Sequence, residues 1–318
     1  MDFRIQAEAW FKGLQNRKRK PVKPGTLAVY RSYLNTWIKP RLGNVEIAMF
    51  GNAAMKTFAA SLNTPAQPLG PKSQNEVVAV VKQIIASAVN ENGDKLYPRD
   101  WNHAFIDLPQ INKREQKAPS LTVAEVTHAV RCAPRPIGTF YAMLAGTGLR
   151  IGEALAVRVG PCDRVSAWDP EKLVVAVRTQ LWRAMEIDPK TEAGVRDVDL
   201  HPRLNQLLIN QAVGKNIGDF LFQSERGGHM YESTLRKYSL QKLGIPGFHA
   251  FRRFRITRLR EMGCPEDIVR YWAGHEGEGI TDRYSKLAQN VELRRSWAAR
   301  VGYGFDLWTE EEKENAAD

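Results

Sequence analysis

Residues 146–155 read Gly-Thr-Gly-Leu-Arg-Ile-Gly-Glu-Ala-Leu. The glycines predict a tight turn, and the residues from Ile151 onward predict a helix that starts directly after Arg150. Arg150 offers a planar fork of donors that matches two phosphate oxygens. Glu153 lies three residues further on, on the same helix face, where it can hold or orient that fork. A surface ion pair after a loop would explain the same two residues.

Lys190 begins the sequence Lys-Thr-Glu-Ala-Gly-Val-Arg-Asp-Val-Asp-Leu, residues 190–200, which predicts a hairpin turn followed by a strand. A lysine in a tight turn can serve as a general acid, because desolvation and neighbouring cations lower its pKa. An exposed turn lysine would give the same sequence. Within the strand, Asp197 and Asp199 point to one face, which is either a solvated face or a metal site.

Two histidines and a tyrosine follow. His249 and Arg252 lie three residues apart in His-Ala-Phe-Arg-Arg and share one face of a predicted helix, although such a pair also arises by chance. His275 ends the motif Ala-Gly-His, nine residues before Tyr284 of Ile-Thr-Asp-Arg-Tyr. A phenol has an ordinary pKa of about 10 and needs nearby cations or a base to act as a nucleophile. A tyrosine that only packs in the core or on the surface is the alternative.

Taken together, these residues supply what metal-free cleavage of a phosphodiester requires. The phenol is a nucleophile, cationic donors stabilise a pentavalent phosphate, and a further group donates a proton to the leaving oxygen. The set therefore indicates DNA strand cleavage and rejoining through a phosphotyrosine. The candidate catalytic residues are Arg150, Lys190, His249, Arg252, His275 and Tyr284.

The charge of the chain favours a polyanionic partner. Its 318 residues carry a net charge of +11, and residues 1–112 hold 15 Lys and Arg against 8 Asp and Glu. A membrane surface would attract the same charge. However, the longest apolar run, Ile137 to Leu149, is shorter than the roughly 18 residues of a spanning helix, and the amino terminus shows no secretory signal.

The cysteines and motifs argue against bound cofactors. Three scattered cysteines suit a reducing cytoplasm and do not fit a disulfide or zinc framework. The sequence has no GxxxxGK[ST] phosphate loop, so nothing suggests the use of ATP. We therefore expect neither a metal nor another cofactor.

The sequence predicts a mainly α protein of the α+β class with two domains. A helical stripe from Thr26 to Ile38, ending before Pro40, and another from Ser73 to Asn90 indicate a helical domain of residues 1–112. The polar residues 113–119 are the expected linker.

Residues 120–309 are the expected second domain, which mixes helices with a small sheet. Thr122-Val-Ala-Glu125 has the form of a capping box that opens a helix. Segments 172–179, 181–187 and 195–200 predict three strands of a small antiparallel sheet. We expect the acidic tail, residues 310–318, to be disordered.

In order and separation, these motifs resemble the tyrosine recombinase (phage integrase) family. The segments that carry the resemblance are GTGLRIGEAL, KTEAGVRDVDL, HAFRR, AGH and ITDRY, and they span roughly residues 120–295. The helical region before them looks like the family's core-site-binding domain, and the layout is similar to the short, two-domain Xer type. Trp272-Ala273 departs from the leucines usual in the family, and residues 276–279 are more acidic than is common there.

The resemblance implies a role for each candidate catalytic residue. Tyr284 would attack the scissile phosphate and form a 3′-phosphotyrosyl bond without metal or ATP. Arg150, Arg252 and His275 would stabilise the phosphate, and Lys190 would protonate the leaving 5′ oxygen. His249 would act as an acid or base toward the nucleophile or donate to the phosphate.

The resemblance also implies the partners. They are double-stranded DNA and further copies of the chain, as a tetramer on paired DNA sites in the cytoplasm, associated with the nucleoid. Phosphate contacts in the first domain are expected from Arg17, Lys18, Arg19, Lys20, Arg31 and Lys39. The carboxy-terminal segments 291–297 and 301–308 resemble an element that docks on a neighbouring subunit, and docking on their own domain is equally compatible with the sequence.

Other functions remain open from the sequence. A type IB topoisomerase-like nicking and closing enzyme would use much the same residues, and strand exchange between two duplexes would distinguish it. A DNA-binding regulator on a recombinase scaffold would be expected to lack a catalytic residue, and none is missing. A basic RNA-binding protein would explain the charge but not the six candidate residues.

Overall fold

The computed structural model describes residues 1–65, 67–112, 119–189, 191–275 and 287–308. Contacts divide the chain into two compact units, Met1–Gln116 and Lys117–Asp318, each with its own hydrophobic core. Across these ranges, no helix has both the length and the hydropathy to cross a membrane. Nearly all of the expected linker and the whole acidic tail lie outside the described residues.

The first unit is mainly helical. Its elements are α1 (Phe3–Gln15), α2 (Pro24–Tyr33), α3 (Lys39–Leu42), α4 (Asn52–Ala60), the antiparallel pair β1 (Asn63–Thr64) and β2 (Gln67–Pro68), α5 (Pro71–Ala86) and α6 (His103–Ile106). Helix α5 buries Val77, Val81 and Ile84, so the predicted helical stripe is present. It starts earlier than Ser73, because proline suits the first turn of a helix.

The helix predicted to end before Pro40 continues through it, so that boundary was wrong. Residues Leu34–Ile38 form a π-helical turn between α2 and α3, and Pro40 lies in the first turn of α3. Proline has no N–H to donate and crowds the carbonyl four residues earlier, which the wider π turn accommodates. Arg41 donates from Nη1 to the carbonyl oxygens of Thr36 and Trp37, each at 3.3 Å, and so satisfies acceptors in the altered turn.

Several helices of the second unit pack around α8. The described helices are α7 (Val123–Cys132), α8 (Arg135–Thr147), α9 (Ile151–Leu155), α10 (Pro202–Gln211), α11 (Glu232–Arg236), α12 (His249–Glu261), α13 (Glu266–Ala273) and α14 (Val291–Val301). Nearly every residue of α8 is buried. At the start of α7, Thr122 Oγ1 accepts from Glu125 N at 3.2 Å and Glu125 Oε2 accepts from Thr122 N at 2.7 Å, which confirms the capping box.

The sheet of the second unit has three antiparallel strands and a fourth at one edge; two of the antiparallel strands lie in the predicted segments 172–179 and 195–200, and the third, Ala167–Asp169, was not predicted. The strands of this unit are β3 (Arg158–Val159), β4 (Ala167–Asp169), β5 (Val174–Val177), β6 (Gln180–Trp182), β7 (Met185–Ile187) and β8 (Arg196–Asp199). The spatial order is β3-β4-β5-β8, and only β3 and β4 are parallel. Segment 181–187, predicted as one strand, is part of the separate hairpin β6–β7, because Arg183 and Ala184 adopt positive φ and turn the chain.

The carboxy-terminal segment packs on its own unit in the single chain. Arg131 Nη2 donates to the carbonyl of Leu307 at 2.8 Å, and Asp306 N donates to Thr127 Oγ1 at 3.1 Å. The buried ring of Trp308 lies against Gly138 of α8. These contacts hold the described part of the segment, which ends at Trp308, against α7 and α8 of the same chain.

Candidate active site

Arg150 lies at the junction between α8 and α9. Gly148 ends α8 in the left-handed region, with φ of 71°, and α9 begins directly after Arg150. The backbone N–H of Arg150 donates to Glu153 Oε2 at 2.9 Å, and Arg150 Nη1 donates to Glu153 Oε1 at 2.7 Å. Glu153 is only 1% exposed, whereas the Arg150 side chain is 31% exposed. The pair is therefore not a surface ion pair; a buried carboxylate holds one edge of a guanidinium whose remainder reaches solvent.

A second arginine, which the sequence motifs did not single out, holds the other side of that carboxylate. Arg196 in β8 is 3% exposed and contacts Glu153 through Nη2–Oε2 at 3.0 Å and Nη1–Oε1 at 3.3 Å. Its Nε also donates to the carbonyl of Trp272 at 2.7 Å, and Nη1 donates to the carbonyl of Gly194 at 2.9 Å. Burial raises the pKa of Glu153, but Arg196 and Arg150 outweigh it, so the net pKa is lowered and the carboxylate stays charged.

Arg252 lies on α12 and is almost fully buried, at 1% exposure. It donates from Nη1 to the carbonyl of Gly148 at 2.9 Å and from Nη2 to the carbonyl of Ala273. Burial and the neighbouring charge of Arg150 lower the pKa of Arg252 to about 10. It therefore remains a cation at neutral pH, in a setting of low effective dielectric where its field on an anion is strong.

Both candidate arginines converge on the carboxyl end of α13. Arg252 bonds to the carbonyl of Ala273, and Arg150 Nη2 donates to the carbonyl of Gly274 at 3.4 Å. These carbonyls form the negative end of the helix and attract cations. Gly274 adopts φ of 60°, which ends α13 and turns the chain directly into His275. Two guanidinium groups and a histidine are thereby gathered at one point.

His249 and His275 are both held toward the neutral form. Both residues keep part of their surface exposed. Partial burial lowers the pKa of His249, and the charges of Arg252, Arg253 and Arg150 lower it further. Burial also lowers the pKa of His275, again with help from Arg252 and Arg150. Both imidazoles therefore share an electrostatic field with the two arginines. At neutral pH each ring offers one donor and one acceptor nitrogen.

The remaining two candidates lie outside the described residues. Lys190 directly follows residue 189, and Tyr284 falls between His275 and Leu287. Their roles stay predictions from the sequence.

Comparisons with known proteins bear on the fold. No protein-family model matches the sequence. A protein of Mycobacterium tuberculosis named as a prophage phiRv2 integrase is 24% identical over 316 residues, which covers 90% of this chain and 79% of that protein.

Solved structures match over nearly the whole chain. The integrase of transposon Tn1549, in complex with a circular intermediate DNA, has a TM-score of 0.65 at 19% identity and covers 98% of both chains. A lambda integrase tetramer bound to a Holliday junction has a TM-score of 0.61 at 14% identity, covering 90% of this chain and 79% of that one. The chain has the tyrosine recombinase fold. The comparisons thus confirm the resemblance inferred from the motifs and the predicted fold class.

In this recombinase fold, the paired aspartates of β8 differ in exposure, because the Asp197 side chain is 34% exposed and Asp199 is buried. Asp199 is 3% exposed and accepts from Trp272 Nε1 at 2.9 Å and Arg294 Nε at 2.7 Å. Asp197 accepts from Arg178 Nη2 at 2.7 Å. The expectation of a solvated face was therefore wrong for Asp199, because its partners come from helices far away in the sequence. Among the described residues, no group of three or more His, Cys, Asp or Glu is placed to hold a metal.

The basic residues predicted to contact DNA fall into two sets in the first unit of the recombinase fold. The side chains of residues 17–20, Arg-Lys-Arg-Lys, are exposed in the loop between α1 and α2. Arg31 and Lys39 instead share the carboxylate of Glu8, and Arg31 Nη1 lies 2.9 Å from Glu8 Oε2. The guanidinium of Arg31 also lies 3.7 Å from the centre of the Phe11 ring. Glu8 therefore neutralises part of the charge in the second set.

Proposed function

We propose that this chain is a tyrosine site-specific recombinase that cleaves and rejoins double-stranded DNA through a 3′-phosphotyrosyl intermediate, without metal or ATP. One observation carries the proposal: Arg150 and Arg252 both donate to the last carbonyls of α13, immediately before His275. Among the described residues, the carboxylate that pairs with these buried and half-buried cations is that of Glu153, and such a cluster is suited to a phosphate.

The cations would supply the electrostatic part of catalysis. Arg150 keeps part of its guanidinium exposed, because Glu153 holds only one edge of it, and that exposed part can donate to a phosphate oxygen. Arg252 adds charge from a buried position. Fixed donors of this kind stabilise charge that develops on the phosphate oxygens, and removal of one costs about 3–4 kcal/mol in other enzymes.

The proton transfers would be divided among three residues. The hydroxyl of Tyr284 attacks phosphorus, a bond from phosphorus to the phenol oxygen forms, and the bond to the 5′ oxygen breaks. His249, kept neutral by burial and by Arg252, can accept the proton of the phenol. Lys190 gives a proton to the departing 5′ oxygen. The 5′ hydroxyl of a partner strand reverses these steps and rejoins the DNA.

The partners and domain roles follow from the same proposal. Residues 1–112 would bind the core DNA site and residues 120–309 would carry the chemistry, joined by linker 113–119. Strand exchange requires paired DNA sites, so we propose a tetramer on two duplexes; the lambda integrase relative was solved as a tetramer on a Holliday junction. We propose that this chain acts in the cytoplasm, in association with the nucleoid.

The test is covalent capture of nicked suicide DNA that carries the recombination site, sought in sequence flanking the gene. Wild type and Tyr284→Phe are incubated with the DNA in EDTA and separated on a denaturing protein gel. We expect a slowly migrating adduct with wild type only. An adduct that requires a divalent metal, or one that persists in Tyr284→Phe, would contradict the mechanism. Tight, salt-sensitive binding without any adduct would instead support the DNA-binding regulator.

A further inference from the structure

A buried network joins strand β8 to the carboxyl side of the segment that contains Tyr284. Asp199, the last residue of β8, accepts through Oδ2 from Trp272 Nε1 at 2.9 Å and from Arg294 Nε at 2.7 Å. Asp199, Trp272 and Arg294 are each at most 3% exposed. The network therefore links β8, α13 and α14 away from solvent.

Arg294 extends this network to the chain just after Tyr284. Its Nη1 donates to the carbonyl of Leu287 and, at 2.9 Å, to the carbonyl of Ala288. Its guanidinium also lies 5.0 Å from the centre of the Tyr271 ring. One side chain thus fixes two consecutive carbonyls relative to the sheet.

The short chain between Tyr284 and Leu287 lets the Arg294 hydrogen bonds restrict the position of Tyr284. Leu287 follows Tyr284 by three residues, so their Cα atoms are at most about 11 Å apart whatever path the chain takes. His275 precedes Tyr284 by nine residues, which allows up to about 32 Å. Of these two points, Leu287 restricts the position of the phenol far more tightly.

Stability alone gives little reason for such a network. The attraction between the charges of a buried ion pair is often weaker than the free energy needed to desolvate both of them. The cost is higher here because Asp199 Oδ1 is buried and has no hydrogen-bond partner among the described residues. The network also reaches the phosphate-binding cations, since the carbonyl of Trp272 accepts from Arg196, which holds Glu153.

We propose that Asp199, Trp272 and Arg294 are positioning residues that set the distance between Tyr284 and the phosphate held by Arg150 and Arg252. Trp272 connects to the phosphate side through its backbone carbonyl and to the tyrosine side through its indole N–H. Loss of either of these hydrogen bonds should displace the phenol of Tyr284 without altering the surface that binds DNA. The inference rests on the proposed function.

The test measures two quantities with DNA that carries the recombination site. One is the Kd, and the other is the single-turnover rate of covalent adduct formation at saturating DNA. Trp272→Phe removes the indole donor and keeps the Asp199–Arg294 pair, whereas Arg294→Met removes the anchor on Leu287. The matched control is Arg295→Met, because Arg295 is exposed on the same helix and donates at 2.7 Å to the carbonyl of Lys172 instead.

We expect adduct formation to slow by about 10- to 100-fold in Trp272→Phe and Arg294→Met, as expected for a displacement of roughly 1 Å. The Kd should stay within about twofold of wild type in both variants, and Arg295→Met should match wild type in both quantities. If Arg294→Met does not fold, Trp272→Phe alone decides the matter.

Two results would overturn the positioning role while the proposed function stands. One is a folded Trp272→Phe with an unchanged adduct rate. The other is a parallel loss of affinity and rate, which indicates a merely structural network. Failure of wild type to form any adduct would instead overturn the proposed function, and the positioning role with it.

Discussion

Arg196 and Glu153 form a buried ion pair that connects the segments around the candidate active site. The two guanidinium nitrogens of Arg196 lie 3.0 and 3.3 Å from the two oxygens of Glu153. The same arginine donates to the carbonyls of Gly194 and Trp272, while the same carboxylate holds Arg150. The position of Arg150 relative to the end of α13 therefore depends on this pair.

Glu153→Gln should destabilise the second unit by about 3–5 kcal/mol, because it leaves the buried Arg196 without a counter-charge. The measurement is urea denaturation at pH 7. The pKa of Glu153 is lowered in the folded protein, so its charge stabilises the fold above the unfolded pKa. That contribution is lost as the pH falls through the folded pKa, and the gap between variant and wild type should narrow there.

The control for this substitution is Glu232→Gln, which removes an exposed ion pair with Arg236 on one helix. Exposed pairs of this spacing contribute about 0.3–0.5 kcal/mol. Equal small losses in the two variants would show that the Arg196–Glu153 pair does not hold the site together.

Gly274→Ala should impair both stability and strand cleavage. Gly274 has φ of 60°, and an added Cβ would lie 2.9 Å from Arg196 Nη1 and 3.0 Å from the carbonyl of Ala193. Gly263 has φ of 71°, but a Cβ added there would meet nothing within 4 Å, so Gly263→Ala isolates the backbone strain of about 1–2 kcal/mol. We expect Gly263→Ala to cleave DNA at the wild-type rate and Gly274→Ala to be slower by at least about tenfold. Equal rates would argue against close packing at the site.

DNA binding should be accompanied by proton uptake. Burial and the charge of Arg252 lower the pKa of His249 and His275 in the free protein. A bound phosphate offsets that positive charge and raises both pKa values, so affinity should increase as the pH falls toward the pKa values of the bound form. Calorimetric titration of Tyr284→Phe with its DNA, in two buffers of different protonation enthalpy, measures the uptake. His249→Asn should reduce it, and binding heats that do not depend on the buffer would contradict the arrangement.

In the free protein, the lowered pKa values of His249 and His275 make stability decrease as the pH falls, whereas DNA affinity increases. A histidine whose folded pKa is below its ordinary value of 6.5 binds more protons when unfolded. Stability should therefore decline as the pH falls from 6.5 toward the folded pKa values.

The two sets of basic residues in the first unit should differ in their effect on salt dependence. Removal of one phosphate contact lowers the magnitude of the slope of log K against log salt by about 0.9. Replacement of residues 17–20 by glutamine should lower it by up to that amount per contact, because their side chains are exposed. Arg31→Gln should have a smaller effect, because Glu8 already neutralises part of the Arg31–Lys39 charge. Fluorescence anisotropy across a salt series gives the slopes, and equal effects per residue would contradict this assignment.

Local features of the fold are well predicted from the sequence. The capping box at Thr122 depends on residues three apart, and the pairing of β5 with β8 follows from β-branched and alternating segments. The passage of the helix through Pro40 was missed, because it depends on a π turn and on Arg41, whose side chain satisfies carbonyls earlier in the chain.

The candidate site is less predictable, because its supporting contacts are distant in sequence. Arg150 and Glu153 were identified from their spacing, but Arg196 meets Glu153 from 43 residues away. Likewise, the alternating strand predicts a solvated Asp199, whereas Trp272 and Arg294 cover it in the fold. The charge alternation of β8 was the available signal, since a buried strand that carries both Arg and Asp requires partners.

The most direct test of the central claim is to identify the residue that becomes linked to DNA. Wild type is trapped on nicked suicide DNA in EDTA, digested with nuclease and protease, and analysed by mass spectrometry. The proposed mechanism predicts a nucleotide-bearing peptide modified at Tyr284. Modification at another residue, such as Tyr271 or Tyr303, would contradict it, as would the absence of any modified peptide.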